Sequence, residues 1–262
     1  MSGVPPLEHA PFRESAVSVS WATAALDLLY PSLCAVCDAT LGVGRRDPLC
    51  AVCWRAIERI EEPLCGTCGR PSPSFDRTAG GATLRCPPCA TTPPPFDYAR
   101  AAGAYAGPLR DALHALKFGC NRALARPLGD LVLEHCGGLL GPHVDAVIPV
   151  PLTRARERER GFNQAALLAA HLGAASGLPH KPRWLARRHG TRPQTELTAD
   201  ERRANVAGAF RASRRVAGAH VLLVDDIFTT GATAAECART LRAAGARAVG
   251  VVAVARVIAV TL

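Results

Sequence analysis

Residues Val221 to Thr233 read VLLVDDIFTTGAT, four apolar residues, two adjacent acids, two more apolar residues and then a run of hydroxyls around one glycine. Small residues such as Gly231 and Ala232 let successive backbone N–H groups turn inward as an anion nest. The hydroxyls of Thr229, Thr230 and Thr233 add donors, and a helix starting there adds the positive end of its dipole. The expected occupant is one phosphate. Beside it, Asp225 and Asp226 can accept from two vicinal hydroxyls or hold the water shell of a metal. Phosphate plus diol points to a ribose 5-phosphate. The plain alternative is a pair of strand-end turn acids followed by an N-capping threonine. A nucleotide-hydrolase strand would also read as apolar residues and acids, but its GxxxxGK[ST] partner is absent, as is the GxGxxG of a dinucleotide fold.

A second set of chemistry-bearing residues lies near the N-terminus. Cys34 and Cys37, Cys50 and Cys53, Cys65 and Cys68, and Cys86 and Cys89 form four CxxC pairs, separated by 12, 11 and 17 residues. Each pair can grip one side of a tetrahedral ion, so the eight thiolates fit two four-cysteine zinc sites. Sequential and interleaved pairings both satisfy the spacing, and so does a single site using four of them. With sulfur at every position no catalytic water is left, and zinc here is structural, supplying folding energy to a segment too small for its own core. The remaining three cysteines, Cys120, Cys136 and Cys237, stand alone and read as small packing residues.

The formal charge of +9 is almost wholly arginine, since only Lys117 and Lys181 are lysines. Guanidinium forks suit phosphate, but an Ala-, Arg-, Gly- and Pro-rich composition weakens charge as evidence for nucleic acid. Residues 1–20 begin MSGVPPLEHAPFRES and resemble a disordered tail, not a targeting peptide. The apolar stretch from Trp21 to Val36 contains Asp27 and Pro31, and the one from Ala248 is interrupted by Arg256. Neither supplies the ~18 uninterrupted apolar residues of a membrane span. The expected location is the cytoplasm, where cysteines stay reduced.

These residues need elements to hold them. The proline-rich joint Thr91–Phe96 separates a cysteine module, 26–92, from a second unit, 97–256. There the pattern predicts helices at Leu109–Leu116, Ala123–Glu134, Asn163–Ala175 and Ala232–Ala244, and strands at Val144–Val150, Val221–Val224 and Ala248–Val254. Thr153–Arg160 reads as an arginine-rich loop, and Asp225 and Asp226 fall just past the end of their strand. Strands alternating with helices predict an α/β fold with a mainly parallel central sheet, whose ligands bind at the carboxyl ends of the strands.

VLLVDDIFTTGAT resembles the signature of type I phosphoribosyltransferases, which bind 5-phosphoribosyl 1-pyrophosphate (PRPP). LKFGCNRALARPLG from Leu116, DAVIPVPLTRARERERGFNQAALLA from Asp145 and RPQTELTADERRANVAGAF from Arg192 are similar to the ComF family, which joins a zinc module to such a domain. The resemblance implies the type I phosphoribosyltransferase fold, with Asp225 and Asp226 on the ribose hydroxyls and Thr229, Thr230, Gly231, Ala232 and Thr233 around the 5-phosphate. Val150, Pro151 and Leu152 correspond to the loop that meets pyrophosphate, with Arg154 and Arg156 reaching the ligand and Arg158 and Arg160 facing either ligand or solvent. Gly161–Gln164 reads as a support for that loop or as a helix start. Arg192 and Gln194 belong to a stretch able to close over diphosphate, and Lys117 is either a pyrophosphate or acceptor contact or a surface lysine. Magnesium accompanies PRPP in this reading. The acceptor is not encoded, and the isolated His114, His135, His171 and His189 offer no evident general base. Two functions follow from the resemblance. One is a phosphoribosyltransferase linked to DNA uptake in natural transformation; the other is a non-catalytic module that senses PRPP or binds single-stranded DNA, alongside other competence proteins.

Overall fold

The computed structural model describes residues 32–42, 47–71, 84–188 and 208–258. The tail at 1–20, Arg192 and Gln194 lie outside the described residues. In chain order the elements are α1 (Ala51–Arg55), α2 (Pro87–Thr91), β1 (Tyr98–Ala104), α3 (Gly107–Lys117), α4 (Ala125–Cys136), β2 (Ala146–Pro149), α5 (Arg154–Arg160), α6 (Gln164–Ser176), β3 (Leu185–Arg187), β4 (Phe210–Ala212), β5 (His220–Phe228), α7 (Ala232–Ala243) and β6 (Ala248–Arg256). Strands β1, β6, β5 and β2 lie side by side in that order, all parallel, while β3 and β4 form a separate antiparallel pair.

The central strands are apolar on both faces because both are covered. On one face, Leu222, Val224, Val252 and Val254 pack with Leu109, Leu113 and Leu116 of α3, Leu128 and Leu131 of α4, and Leu168 and Leu172 of α6. On the other, Val221, Leu223, Val249 and Val251 meet Cys237, Ala238 and Leu241 of α7 and Phe210 of β4. No helix among the described residues is long and apolar enough to cross a membrane.

Two sequence expectations change, and one strand is added. Strand β5 runs on through Phe228, so Asp225 and Asp226 belong to the strand itself, Asp225 opposite Ala253 of β6. Thr153–Arg160 is not a loop: Arg154–Arg160 is helix α5, capped by Thr153 Oγ1, which accepts from Arg156 N at 3.2 Å, and ended by Gly161 at φ 72°. Strand β1, alanine-rich and unpromising by propensity, forms because β6 offers it a full parallel ladder and an apolar sheet to lie on.

Both edges of the sheet are covered. Along β1, Ala104 N donates to Glu58 O at 2.8 Å, Ile60 N to Ala102 O at 3.0 Å and Ala99 N to Thr67 O at 2.7 Å. Along β2, Val147 N donates to Pro179 O and Lys181 N to Val147 O, both at 2.9 Å.

Candidate ligand site and metal centres

The C-terminal end of β5 delivers two carboxylates into a cavity of about 220 Å³. Its walls hold Asp225, Asp226, Thr229, Gly231 and Thr233 from the opening motif, Val150, Pro151 and Leu152 from the end of β2, and Lys117 and Arg156. Gly231 stands at φ 79°, a conformation open to glycine, and caps the start of α7. Ala232 N donates to Thr230 Oγ1 at 3.3 Å. The loop thus turns sharply into the N-terminus of α7, with Gly231 and Thr233 lining the cavity.

Asp226 is 9% exposed and pairs with Lys117 Nζ at 3.0 Å, and both side chains line the cavity. Asp225 accepts from the Asp226 amide at 2.9 Å. Burial, reinforced by the charge of Asp226, pushes the Asp225 carboxyl up, against the opposing pull of Lys117. Two adjacent acids, Asp226 buried and Asp225 partly so, with one lysine paired to Asp226, leave acceptor capacity for hydroxyl donors or a cation.

Helix α5 explains which arginines enter. Arg156 and Arg160, four residues apart, share the face that lines the cavity, whereas Arg154 and Arg158 share an exposed face. Arg154 therefore lies outside the cavity, its carbonyl accepting from Arg158 Nε at 3.3 Å. Thr230 and Ala232 line a second, larger cavity of about 720 Å³ on the far side of the loop, which contains neither aspartate. Carboxylates, cations and loop converge on the smaller one. Arg187, Asn163, Gln164 and Tyr105 also line it and were not singled out as ligand contacts from sequence. Asn163 both ties and caps: its Nδ2 donates to Val150 O at 3.1 Å and its Oδ1 accepts from Ala165 N at 3.0 Å. The LKFGCNR turn packs on the same corner, with Arg122 donating to Gly161 O at 2.7 Å while its guanidinium stacks on Phe162.

The cysteines gather sequentially: Cys34, Cys37, Cys50 and Cys53 form one cluster, and Cys65, Cys68, Cys86 and Cys89 the other. Within each, the sulfurs lie within 4.8 Å of one another. Contacts of 3.7 Å for Cys37 to Cys50 and 3.6 Å for Cys68 to Cys86 approach the roughly 3.8 Å edge of a tetrahedron with Zn–S bonds of about 2.3 Å. Burial alone would push the Cys34 and Cys65 thiols up, but amides aimed at their sulfurs, Cys50 N and Cys86 N each at 3.3 Å, hold them down at about 6. Such sulfurs are ready thiolate ligands.

The two clusters are copies of one unit. Cys34 N donates to Ala39 O as Cys65 N does to Arg70 O, both at 2.9 Å, and Trp54 N to Cys50 O as Ala90 N does to Cys86 O, both at 3.0 Å. Asp38 at φ 55° corresponds to Gly69 at φ 68°. A Cβ on Gly69 would lie 2.4 Å from Ala99 O, so the second copy needs glycine to dock on β1.

Residues 25–90 match the double zinc ribbon domain, and residues 160–261 match the phosphoribosyl transferase domain. The DNA utilization protein YhgH of Escherichia coli (strain K12) is 36% identical over 230 residues, 86% of this chain and 96% of that protein. Competence protein F of Haemophilus influenzae is 30% identical over 235 residues, 85% of this chain and 96% of that protein. Competence protein ComFC of Bacillus subtilis (strain 168) is 38% identical over 95 residues, covering 36% of this chain and 37% of that protein.

Proposed function

The chain belongs to the ComF family, a double zinc ribbon joined to a phosphoribosyltransferase domain, and from that premise we propose that its ligand is PRPP. The observation that carries this reading is the convergence of Asp225 and Asp226, the Gly231 loop, and Arg156, Arg160 and Lys117 on one cavity. The loop takes the 5-phosphate, the carboxylates accept from the ribose diol, and Arg156 and Arg160 neutralise the pyrophosphate. Arg192 and Gln194 are proposed to close over it. Thr230 and Ala232 contribute as loop backbone, while Arg154, exposed on α5, lies outside the cavity.

Magnesium, when bound with the ligand, adds charge neutralisation to the leaving pyrophosphate. The acids at the end of β5 are the oxygen donors such a hard cation prefers. In this reading the protein works in the cytoplasm as a phosphoribosyltransferase, with 26–92 as its zinc module and 97–256 as the transferase unit. The names of its relatives point the same activity toward DNA utilisation and competence.

Calorimetry on the zinc-loaded protein tests the reading. PRPP with magnesium is expected to bind, and Asp225→Asn with Asp226→Asn to weaken it at least tenfold, about 1.4 kcal/mol or more. Unchanged affinity in the double variant removes the assignment. A screen for pyrophosphate release with nucleobases and amines then identifies the acceptor.

A further inference from the structure

Arg256 ends β6 and is 5% exposed, although it lines no part of the cavity that holds the two aspartates. Its guanidinium has two commitments. Nη1 donates to Cys68 O at 2.5 Å and Nη2 lies 3.8 Å from Cys68 Sγ, a ligand atom of the second cysteine cluster. Its flat face stands 4.8 Å from the centre of the Phe228 ring. A guanidinium this buried needs nearby negative charge. Four thiolates around one Zn²⁺ leave a net charge of about −2, which provides it.

Phe228 carries the contact onward. A Cβ on Gly231 would lie 2.6 Å from Phe228 Cζ, so the tip of the ring rests against the glycine at the centre of the phosphate loop. Phe96 fixes the ring from its edge, at 6.0 Å and 80°. Around this line of contact the space between cluster and loop is open: the cavity of about 720 Å³ is bounded by Cys68, Cys86 and Cys89 on one side and by Thr230 and Gly231 on the other. The two walls therefore meet through Arg256 and Phe228.

We propose that Arg256 is a positioning residue that makes the anion-binding geometry of the Thr229–Thr233 loop depend on the metal in the second cysteine cluster. Zinc fixes Cys68; Cys68 holds the guanidinium; the guanidinium holds the Phe228 ring under Gly231. The second ribbon is then part of the ligand site at one remove. This rests on the phosphate reading of the loop, so the experiment has one arm that needs no PRPP.

In that arm, amide hydrogen exchange is followed in wild-type protein with zinc and after chelation. Exchange over residues 229–234 is expected to speed at least tenfold while the buried amides of α4 and α6 hold. Unchanged exchange over 229–234 after both zinc ions are lost overturns the proposal, whatever PRPP does. In the second arm, Arg256→Met is expected to keep both zinc ions by mass spectrometry yet bind PRPP with magnesium about tenfold more weakly. Cys89→Ser, which removes the second zinc, is expected to cost a similar factor, and the two together about tenfold, not a hundredfold. Full affinity in Arg256→Met, or additive losses, overturns the proposal. If Arg256→Met does not fold, the exchange arm decides. Wild type that fails to bind PRPP sinks the functional reading and leaves the exchange arm standing.

Discussion

At the scale of single residues the site is a problem of packing two carboxylates side by side. Asp225 and Asp226 are consecutive on β5, and Lys117 answers only one of them. Burial and the charge of Asp226 push the Asp225 carboxyl up to about 8. An unfolded aspartate titrates near 4. Between these limits the folded state keeps a proton that the unfolded chain has released, so this contribution to stability is full below about pH 4 and is lost as pH rises toward 8. Zinc-loaded wild type is therefore expected to lose thermal stability relative to Asp225→Asn between pH 5 and 8.5, a trend that parallel melting curves would test. Equal pH dependence of the two proteins would show that Asp225 is ionised throughout. This pairing was legible in the sequence because adjacent acids after four apolar residues have few other uses. The relay through Arg256 was not, because Cys68 and Arg256 are 188 positions apart and only folding brings them together.

At the scale of elements, α5 shows what a sequence conceals. RARERER has no apolar period, and the described helix buries none of its residues. Its existence rests on Thr153 at one end and Gly161 at the other, signals that composition masks. Reading it as a loop makes neighbouring arginines interchangeable; reading it as a helix pairs Arg156 with Arg160 and turns Arg154 away. Thr153 is itself buried, so Thr153→Ala is expected to cost about 1 kcal/mol in urea denaturation. The same change should weaken PRPP binding through disordered arginines, by more than any single exposed arginine substitution on α5 does. Strand β1 was missed for the opposite reason. Its alanines carry no strand preference, and its partner β6 lies at the far end of the chain. The duplicated cysteine unit was hidden by unequal spacers of 12 and 17 residues inside the two copies, although the hydrogen bonds around each are the same.

At the scale of the whole molecule, the sheet's two edges are closed by different means. At β2 the cover is the segment around Pro179 and Lys181, which follows α6 directly and needs no metal. At β1 the cover is Glu58–Thr67, the piece of chain running from the first cysteine cluster into the second. Its hold on the strand is anchored at each end by four sulfurs. An uncovered parallel edge presents a row of unpaired N–H and C=O groups to any neighbouring chain. Removing zinc should consequently do more than lower the melting temperature. Chelated protein is expected to self-associate, with light scattering that grows with concentration, and to return to its original size when zinc is restored before the aggregates mature. A chelated protein that stays monodisperse would mean that Glu58–Thr67 holds the edge unaided. By this geometry the ribbons act as a solubility clasp: the metal keeps a sticky strand from finding its counterpart in another molecule.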